Sequence, residues 1–277
     1  MNKFAHLYES YSKKTFEKIL NAIKSFNKDA EVYFVGGAVR DEIMGFSPKD
    51  VDFLVTNVDL NDLASILEPL GKINEVGKSF GIVKGVIDGE EFDFAIPRTE
   101  VSTGSGHRDQ ITKTDPTQSV DDDLSRRDFT FNAIAKNVET GKFVDPFNGI
   151  QDISDKVIRA VGNPDLRFTE DPLRMLRAVQ FAVRFGFTFE SKTAASIKKN
   201  IGLLENLSEE RFKEEFTKAI TKSLDGSNQK FLSLLSETGI GKFLFSESFN
   251  PITVKSKDFN INLIALFVNG GNYKKLK

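Results

Sequence analysis

The sequence predicts an α+β fold, with a mixed sheet and helices over roughly the first 160 residues and an all-helical second half. Three observations lead there. Short apolar runs at 31–35 and 50–55 alternate with helix-spaced stretches at 38–44 and 60–70. Two more strand-like runs follow at 80–87 and 91–96, giving the order strand, helix, strand, helix, strand, strand. From about residue 161 the strand pattern stops, and helical spacing takes over at 171–185, 192–206, 208–222 and 227–237.

Each element has a local reason. Residues 3–28 set Leu7, Tyr11, Phe16, Ile19, Leu20 and Ile23 on one side of a helix. The run Val32-Tyr33-Phe34-Val35 leads straight into Gly36-Gly37, and Gly45 and Pro48 mark the turn after the next helix. Asp50-Val51-Asp52-Phe53-Leu54-Val55 is the second strand. Leu60, Leu63, Ile66, Leu67 and Leu70 form the packing side of the helix after it. Residues 99–120 carry Gly104, Gly106 and several Ser and Thr without apolar periodicity, which predicts a flexible loop inside the first domain.

Composition narrows the chemistry. The chain has 277 residues, 39% hydrophobic and 28% charged, which is ordinary for a globular protein. Phenylalanine dominates the aromatics, 26 Phe against 4 Tyr and no Trp, so the core is expected to pack by Phe rings. A net charge of −2 leaves any RNA-binding surface to local clustering. No cysteine is present, which excludes disulfides and thiolate zinc sites, and His6 and His107 are too few for a His-rich metal centre. The remaining metal chemistry is carboxylate chemistry, meaning Mg²⁺ or Mn²⁺. No apolar run reaches the roughly 20 residues needed to cross a bilayer. The expected setting is cytoplasmic, away from any membrane.

Four motifs are candidates for function. Two glycines after a strand, Gly36 and Gly37, let backbone N–H groups approach an anion, and Arg40 lies one turn into the helix where it can reach a phosphate. Alone, such a pair is more often an ordinary strand-to-helix turn. Asp50 and Asp52, two apart on a strand, point to one face and repel unless a cation joins them. Alone, they are more often two exposed acids. Asp93, between Phe92 and Phe94, is a third candidate carboxylate, expected to point away from the two rings. The segment Arg126-Arg127-Asp128-Phe129-Thr130-Phe131-Asn132 follows the acidic run Asp121-Asp122-Asp123. Last, Glu170-Asp171-Pro172 opens a helix, with Asp171 the expected N-cap and Pro172 its first residue. Arg174, Arg177, Phe181 and Arg184 then recur on one face.

Taken in order, GGAVRD (36–41), KDVDF (49–53), RRDFTFNAIA (126–135) and EDPLRMLRAVQFAVRFGF (170–187) resemble the class II tRNA nucleotidyltransferase and poly(A) polymerase family. Residues 208–215 are similar to its later Glu-Arg helix. The resemblance implies a polymerase-beta-like nucleotidyltransferase head at 1–160, a helical neck reading the base at 161–222, and a shortened helical body at 223–277. It also implies that Asp50 and Asp52 hold two Mg²⁺ ions, with Mn²⁺ possible as a substitute, and that Asp93 belongs to a strand supplying a third catalytic carboxylate in some members. Gly36, Gly37 and Arg40 would bind the triphosphate, Arg127 and Asp128 the ribose, and Glu170, Asp171, Arg174 and Arg177 the rest of the nucleotide, mainly its base.

Within that family the sequence is most similar to CCA-adding members, which extend the tRNA 3′ end with CTP and ATP. The stretch from Pro97 to Leu124 looks like their flexible loop, and 75–84 lacks the Gly-Arg-Arg-Phe-like run of bacterial poly(A) polymerases. Poly(A) polymerase, a CC- or A-adding enzyme, and an inactive RNA-binding relative are the alternatives. Family members usually run well beyond this length, which implies a minimal or truncated enzyme.

Overall fold

A computed structural model describes residues 11–48, 50–75, 77, 81–102, 110–221 and 229–245 of the chain. The described elements form two compact units that divide after Ile153.

The first unit runs α1 (Lys13–Phe26), β1 (Val32–Val35), α2 (Gly37–Ile43), β2 (Val51–Val55), α3 (Leu60–Leu67), β3 (Gly71–Asn74), β4 (Ile82–Ile87) and β5 (Glu90–Ala95). It continues with β6 (Arg98–Ser102), β7 (Gln110–Thr114), α4 (Val120–Ser125), β8 (Ala135–Asn137), β9 (Phe143–Val144) and the start of α5 (Gly149–Asp155). Among the described residues a seven-stranded sheet has the order β3-β4-β5-β2-β1-β8-β9. Strands β2 and β5 pair in parallel and the other neighbours are antiparallel.

Register decides which face each side chain takes. Phe34 pairs with Phe53, and Phe53 with Phe94, so these rings share one face. Phe16 of α1 covers that face, its ring centroid 4.9 Å from Phe34 and 5.9 Å from Phe53. Ile19 and Ile23, one and two turns further along α1, are fully buried beside it. The Phe-rich composition is thus a ring-packed core under the sheet. The alternate positions carry Asp52 and Asp93, which face each other across the β2–β5 pair on the opposite side.

Most of the expected strands and helices are present, with ends shifted by a few residues. The long N-terminal helix is described only over Lys13–Phe26, and residues 1–10 of that expectation lie outside the described residues. The expected loop at 99–120 needs correction. Strands β6 and β7 form an antiparallel ladder from Arg98 opposite Thr114 to Ser102 opposite Gln110, and α4 begins at Val120. These two strands pair only with each other among the described residues, and the sequence over them shows no apolar alternation. Gly104, Gly106 and His107 lie outside the described residues.

The second unit holds β10 (Val157–Ile158), α6 (Pro164–Glu170), α7 (Leu173–Phe185), β11 (Thr188–Phe189), α8 (Ser191–Asn200), α9 (Glu209–Thr221), α10 (Gln229–Thr238) and α11 (Ile240–Phe245). Among the described residues it is helical, as expected, apart from the two-residue parallel pair β10–β11. Helix α7 is its centre: Met175, Leu176, Ala178, Val179, Ala182 and Val183 are all buried. Gly186 ends it in the left-handed conformation, φ 71°, which only glycine adopts freely. Helix α6, absent from the sequence expectations, begins with Pro164 behind the cap Asn163. Its Asp165 is tied to α8 by Lys199 at 2.6 Å, by Asn200 at 2.9 Å and by Ser196. Much of the body expected at 223–277 lies outside the described residues; α10 and α11 are its described part.

Candidate active site

In the first unit the chemistry gathers where β1 ends. Gly36 has φ 70° and ψ −133°, a backbone state reserved in practice for glycine. Space imposes a second demand, since a Cβ at Gly36 would stand 3.0 Å from Arg127 Nη1 and 3.6 Å from Asp52 Oδ2. Gly36 therefore lets a guanidinium and a carboxylate close on the backbone from two other segments. Gly36→Ala is expected to destabilise the protein by about 2–4 kcal/mol, adding backbone strain to displacement of Arg127. Gly45, at φ 78° and with nothing within 4 Å of where a Cβ would stand, is the control: Gly45→Ala meets the backbone term alone. Denaturant unfolding of both variants checks this, and equal losses would refute the steric part.

Arg40 is 5% exposed and does not project freely from its helix. Asp41 accepts from its Nε at 2.8 Å, and Asn132 Oδ1 accepts from its Nη1 at 2.7 Å. The Asn132 amide in turn donates to Asp128 Oδ1 at 3.0 Å, and the same oxygen accepts from the Phe129 backbone at 2.8 Å. Arg127 is aimed by Asp123, a fully buried carboxylate on α4. Asp123 Oδ2 accepts from Arg127 at 3.1 Å, while Oδ1 accepts two hydrogen bonds from Arg126 at 2.7 and 2.8 Å. Burial alone would raise the Asp123 carboxyl; Arg127 and Arg126 outweigh it and hold the group below its ordinary value.

Asp52 is the opposite case. Burial and the neighbouring Asp93 push its carboxyl up to about 6, against the pull of Arg127, and Asp50 adds further repulsion. Asp93 is paired with Lys84, its antiparallel partner on β4, whose Nζ lies 2.7 and 2.8 Å from the two oxygens. Asp50 is exposed at the bend before β2. Among the described residues no three acidic or histidine side chains converge as a complete metal cage. Asp52 and Asp93, facing each other across the β2–β5 pair, nevertheless suit Mg²⁺, which takes one or two carboxylates and completes its octahedron with water and substrate oxygens.

The base-facing candidates lie in the second unit, described by itself. Glu170 Oε2 accepts from Arg174 Nη1 at 2.9 Å, and its other oxygen accepts from Arg167. Asp171 is not the N-cap of α7, as expected from its position before Pro172. It is the C-cap residue of α6, Pro172 takes the N-cap place, and the helix starts at Leu173. The Asp171 side chain still accepts from the Leu173 backbone at 3.1 Å, so it caps the helix from one residue further out. Arg211 of α9 holds its other side, at 3.0 Å from Oδ2. Within the arginine row, Arg174 is buried and Arg177 lies over the Phe181 ring at 5.3 Å.

The structure thus brings Gly36, Asp52, Asp93 and Arg127 together, links Arg40 to Asp128, and joins Glu170 to Arg174. Lys84, Asp123, Arg126, Asn132 and Arg211 were not among the candidates. Asp123, Arg126, Asn132 and Arg211 stood within recognised motifs; Lys84 is identified only by pairing across strands.

Comparison with known proteins adds independent evidence. Residues 32–159 match the family described as "Poly A polymerase head domain", and residues 186–250 match "Probable RNA and SrmB- binding site of polymerase A". A CCA-adding enzyme of Lactobacillus helveticus is 41% identical over 190 residues, covering 68% of this chain and 45% of the relative. One from a Geobacillus strain is 36% identical over 233 residues, covering 84% and 55%. Among solved structures, the Bacillus stearothermophilus CCA-adding enzyme in complex with CTP superposes with a TM-score of 0.69 at 34% identity, over 82% of this chain and 53% of that one. The Thermotoga maritima CCA-adding enzyme complexed with tRNA gives 0.70 at 27% identity, over 88% and 55%. The chain spans about half the length of the relatives it matches. Among the described residues no helix is long and apolar enough to cross a membrane.

Proposed function

This chain belongs to the class II tRNA nucleotidyltransferase and poly(A) polymerase family, and we propose that it adds C and A nucleotides to tRNA 3′ ends from CTP and ATP without a nucleic-acid template. The RNA 3′-hydroxyl attacks the α-phosphate in line, a new phosphodiester forms, and pyrophosphate leaves. The observation that carries this reading is the pairing of Asp52 with Asp93 across β2 and β5, with Gly36 and Arg127 against Asp52. The relatives supply the substrate class.

The family is metal-dependent. Asp50 and Asp52 would hold two Mg²⁺ ions, with Mn²⁺ as a substitute, supplying charge neutralisation for the attacking and leaving oxygens. Asp93 adds negative charge to the same face. Gly37 and Arg40 bind the triphosphate, the guanidinium pre-set by Asp41 and Asn132. Arg127 and Asp128 take the ribose. Glu170, Asp171, Arg174 and Arg177 serve the base, within a division of labour in which 1–160 is the head, 161–222 the neck and 223–277 the short body. Catalysis is mainly positioning, and the buried hydrogen-bonded side chains supply rigidity for it. The proposed setting is the cytoplasm.

The test is incubation with Mg²⁺, labelled tRNA lacking its 3′ end, and each nucleotide separately and together. Ordered addition of two C and one A is expected. Extension by CTP alone or ATP alone reduces the reading to a partial activity. A long ladder with ATP makes it a poly(A) polymerase, and no extension leaves an RNA-binding relative.

A further inference from the structure

We propose that Asn132 is a positioning residue that locks the phosphate-binding Arg40 to the ribose-binding Asp128, so that the two parts of the nucleotide are recognised as a unit. The inference rests on the function proposed above and adds a residue and a role to it. Arg40 and Asn132 are 92 positions apart in sequence, yet Arg40 Nη1 donates to Asn132 Oδ1 at 2.7 Å. The Asn132 amide nitrogen donates to Asp128 Oδ1 at 3.0 Å. All three residues are buried, with Asn132 6% exposed.

The chemistry of the bridge is specific. A guanidinium only donates and a carboxylate only accepts, so the group between them must accept at one end and donate at the other. A primary amide does both at fixed separation, and the two partners dictate which way it is turned. Local structure holds the bridge still. Asn132 ends the single turn Thr130–Asn132, and the buried rings of Phe129 and Phe131 in the same segment stack at 5.6 Å. Thr130 donates to the buried Asp152 at 2.6 Å. Asp128 Oδ1 is oriented further by the Phe129 N–H. Asn132 therefore sets the direction of two side chains from two distant segments and has no direct role in the chemistry.

Asn132→Asp separates the two halves of the bridge. It is nearly isosteric and keeps an acceptor for Arg40, but it places a carboxylate against Asp128. Asn132→Ala removes both contacts. The measurement is kcat/KM for CTP and for dCTP with a tRNA primer, together with the thermal midpoint of each variant. If Asn132 acts through Asp128, both variants lower the preference for CTP over dCTP by about tenfold, as expected for a lost buried hydrogen bond to a charged group. The change should appear chiefly in KM. Equal losses for CTP and dCTP, with a lowered midpoint, assign Asn132 to the scaffold and overturn the proposal. Should Asn132→Ala fail to fold, Asn132→Asp alone decides by the same ratio. Wild-type protein that incorporates neither nucleotide overturns the proposed function itself, whereas wild-type turnover with an unchanged ratio in the variants overturns only the role of Asn132.

Discussion

Asp52→Asn is expected to reduce nucleotide incorporation by ~10³-fold or more, because it removes charge from the centre of the proposed metal site. The same substitution is expected to make the metal-free protein more stable. The folded carboxyl titrates at about 6 instead of 3.8, raised by burial and by Asp93 across the sheet. Between those two values the folded protein keeps a proton that the unfolded chain has released. Stability therefore falls as pH rises through that window, and the whole penalty, on the order of 2–3 kcal/mol, is present above about pH 6. An amide carries no charge and escapes it. In chelator at pH 7.5 the variant should melt several degrees above the wild type, and near pH 4 the difference should shrink. Mg²⁺ should stabilise the wild type and have little effect on the variant. Normal turnover by Asp52→Asn would end the metal assignment. Lost turnover with a lowered melting point at pH 7.5 would mean that Asp52 supports the fold.

The sequence carried this far because the informative residues sit on strong local patterns. Alternation put Phe92 and Phe94 on one face and Asp93 on the other, and the register matches that. A strand ending in two glycines was legible as a turn that brings backbone close to something. The sequence could not say to what: Arg127 and Asp52 against Gly36 is a fact of tertiary packing. The same holds for the ties that immobilise the candidates. Arg40 with Asn132, Asp93 with Lys84 and Asp171 with Arg211 join different elements, and periodicity carries no information about such partners. Arg174 adds a further case. Its spacing reads as one face with Arg177 and Arg184, but that spacing does not show that Arg174 is buried against Glu170. Strands β6 and β7 pair only with each other among the described residues, and the sequence there shows no apolar periodicity that would mark either strand.

Selectivity gives the second large effect. Cytosine and adenine present an exocyclic amine beside a ring nitrogen acceptor; uracil and guanine present a carbonyl beside an N–H. Asp171 can only accept and Arg174 can only donate, so the pair matches the first two bases and opposes the others. Glu170 takes one end of the Arg174 guanidinium, and Arg211 holds Asp171 from the far side, so each group is braced within its unit. Asp171→Asn keeps size and an acceptor for the Leu173 N–H but adds a donor that a uracil or guanine carbonyl can use. Preference for CTP over UTP, measured as a ratio of kcat/KM, is expected to fall by roughly 10- to 100-fold, since mismatched polar groups in a site built to pair are what enforce rejection. Arg211→Gln, which leaves the Asp171 carboxylate but removes its brace, should lower rates for CTP and ATP while changing the CTP-to-UTP ratio less. If both variants leave that ratio unchanged, the base is selected elsewhere. If Arg211→Gln alters it as strongly as Asp171→Asn, the selecting element is the braced pair Asp171–Arg211, and the carboxylate is only one half of it.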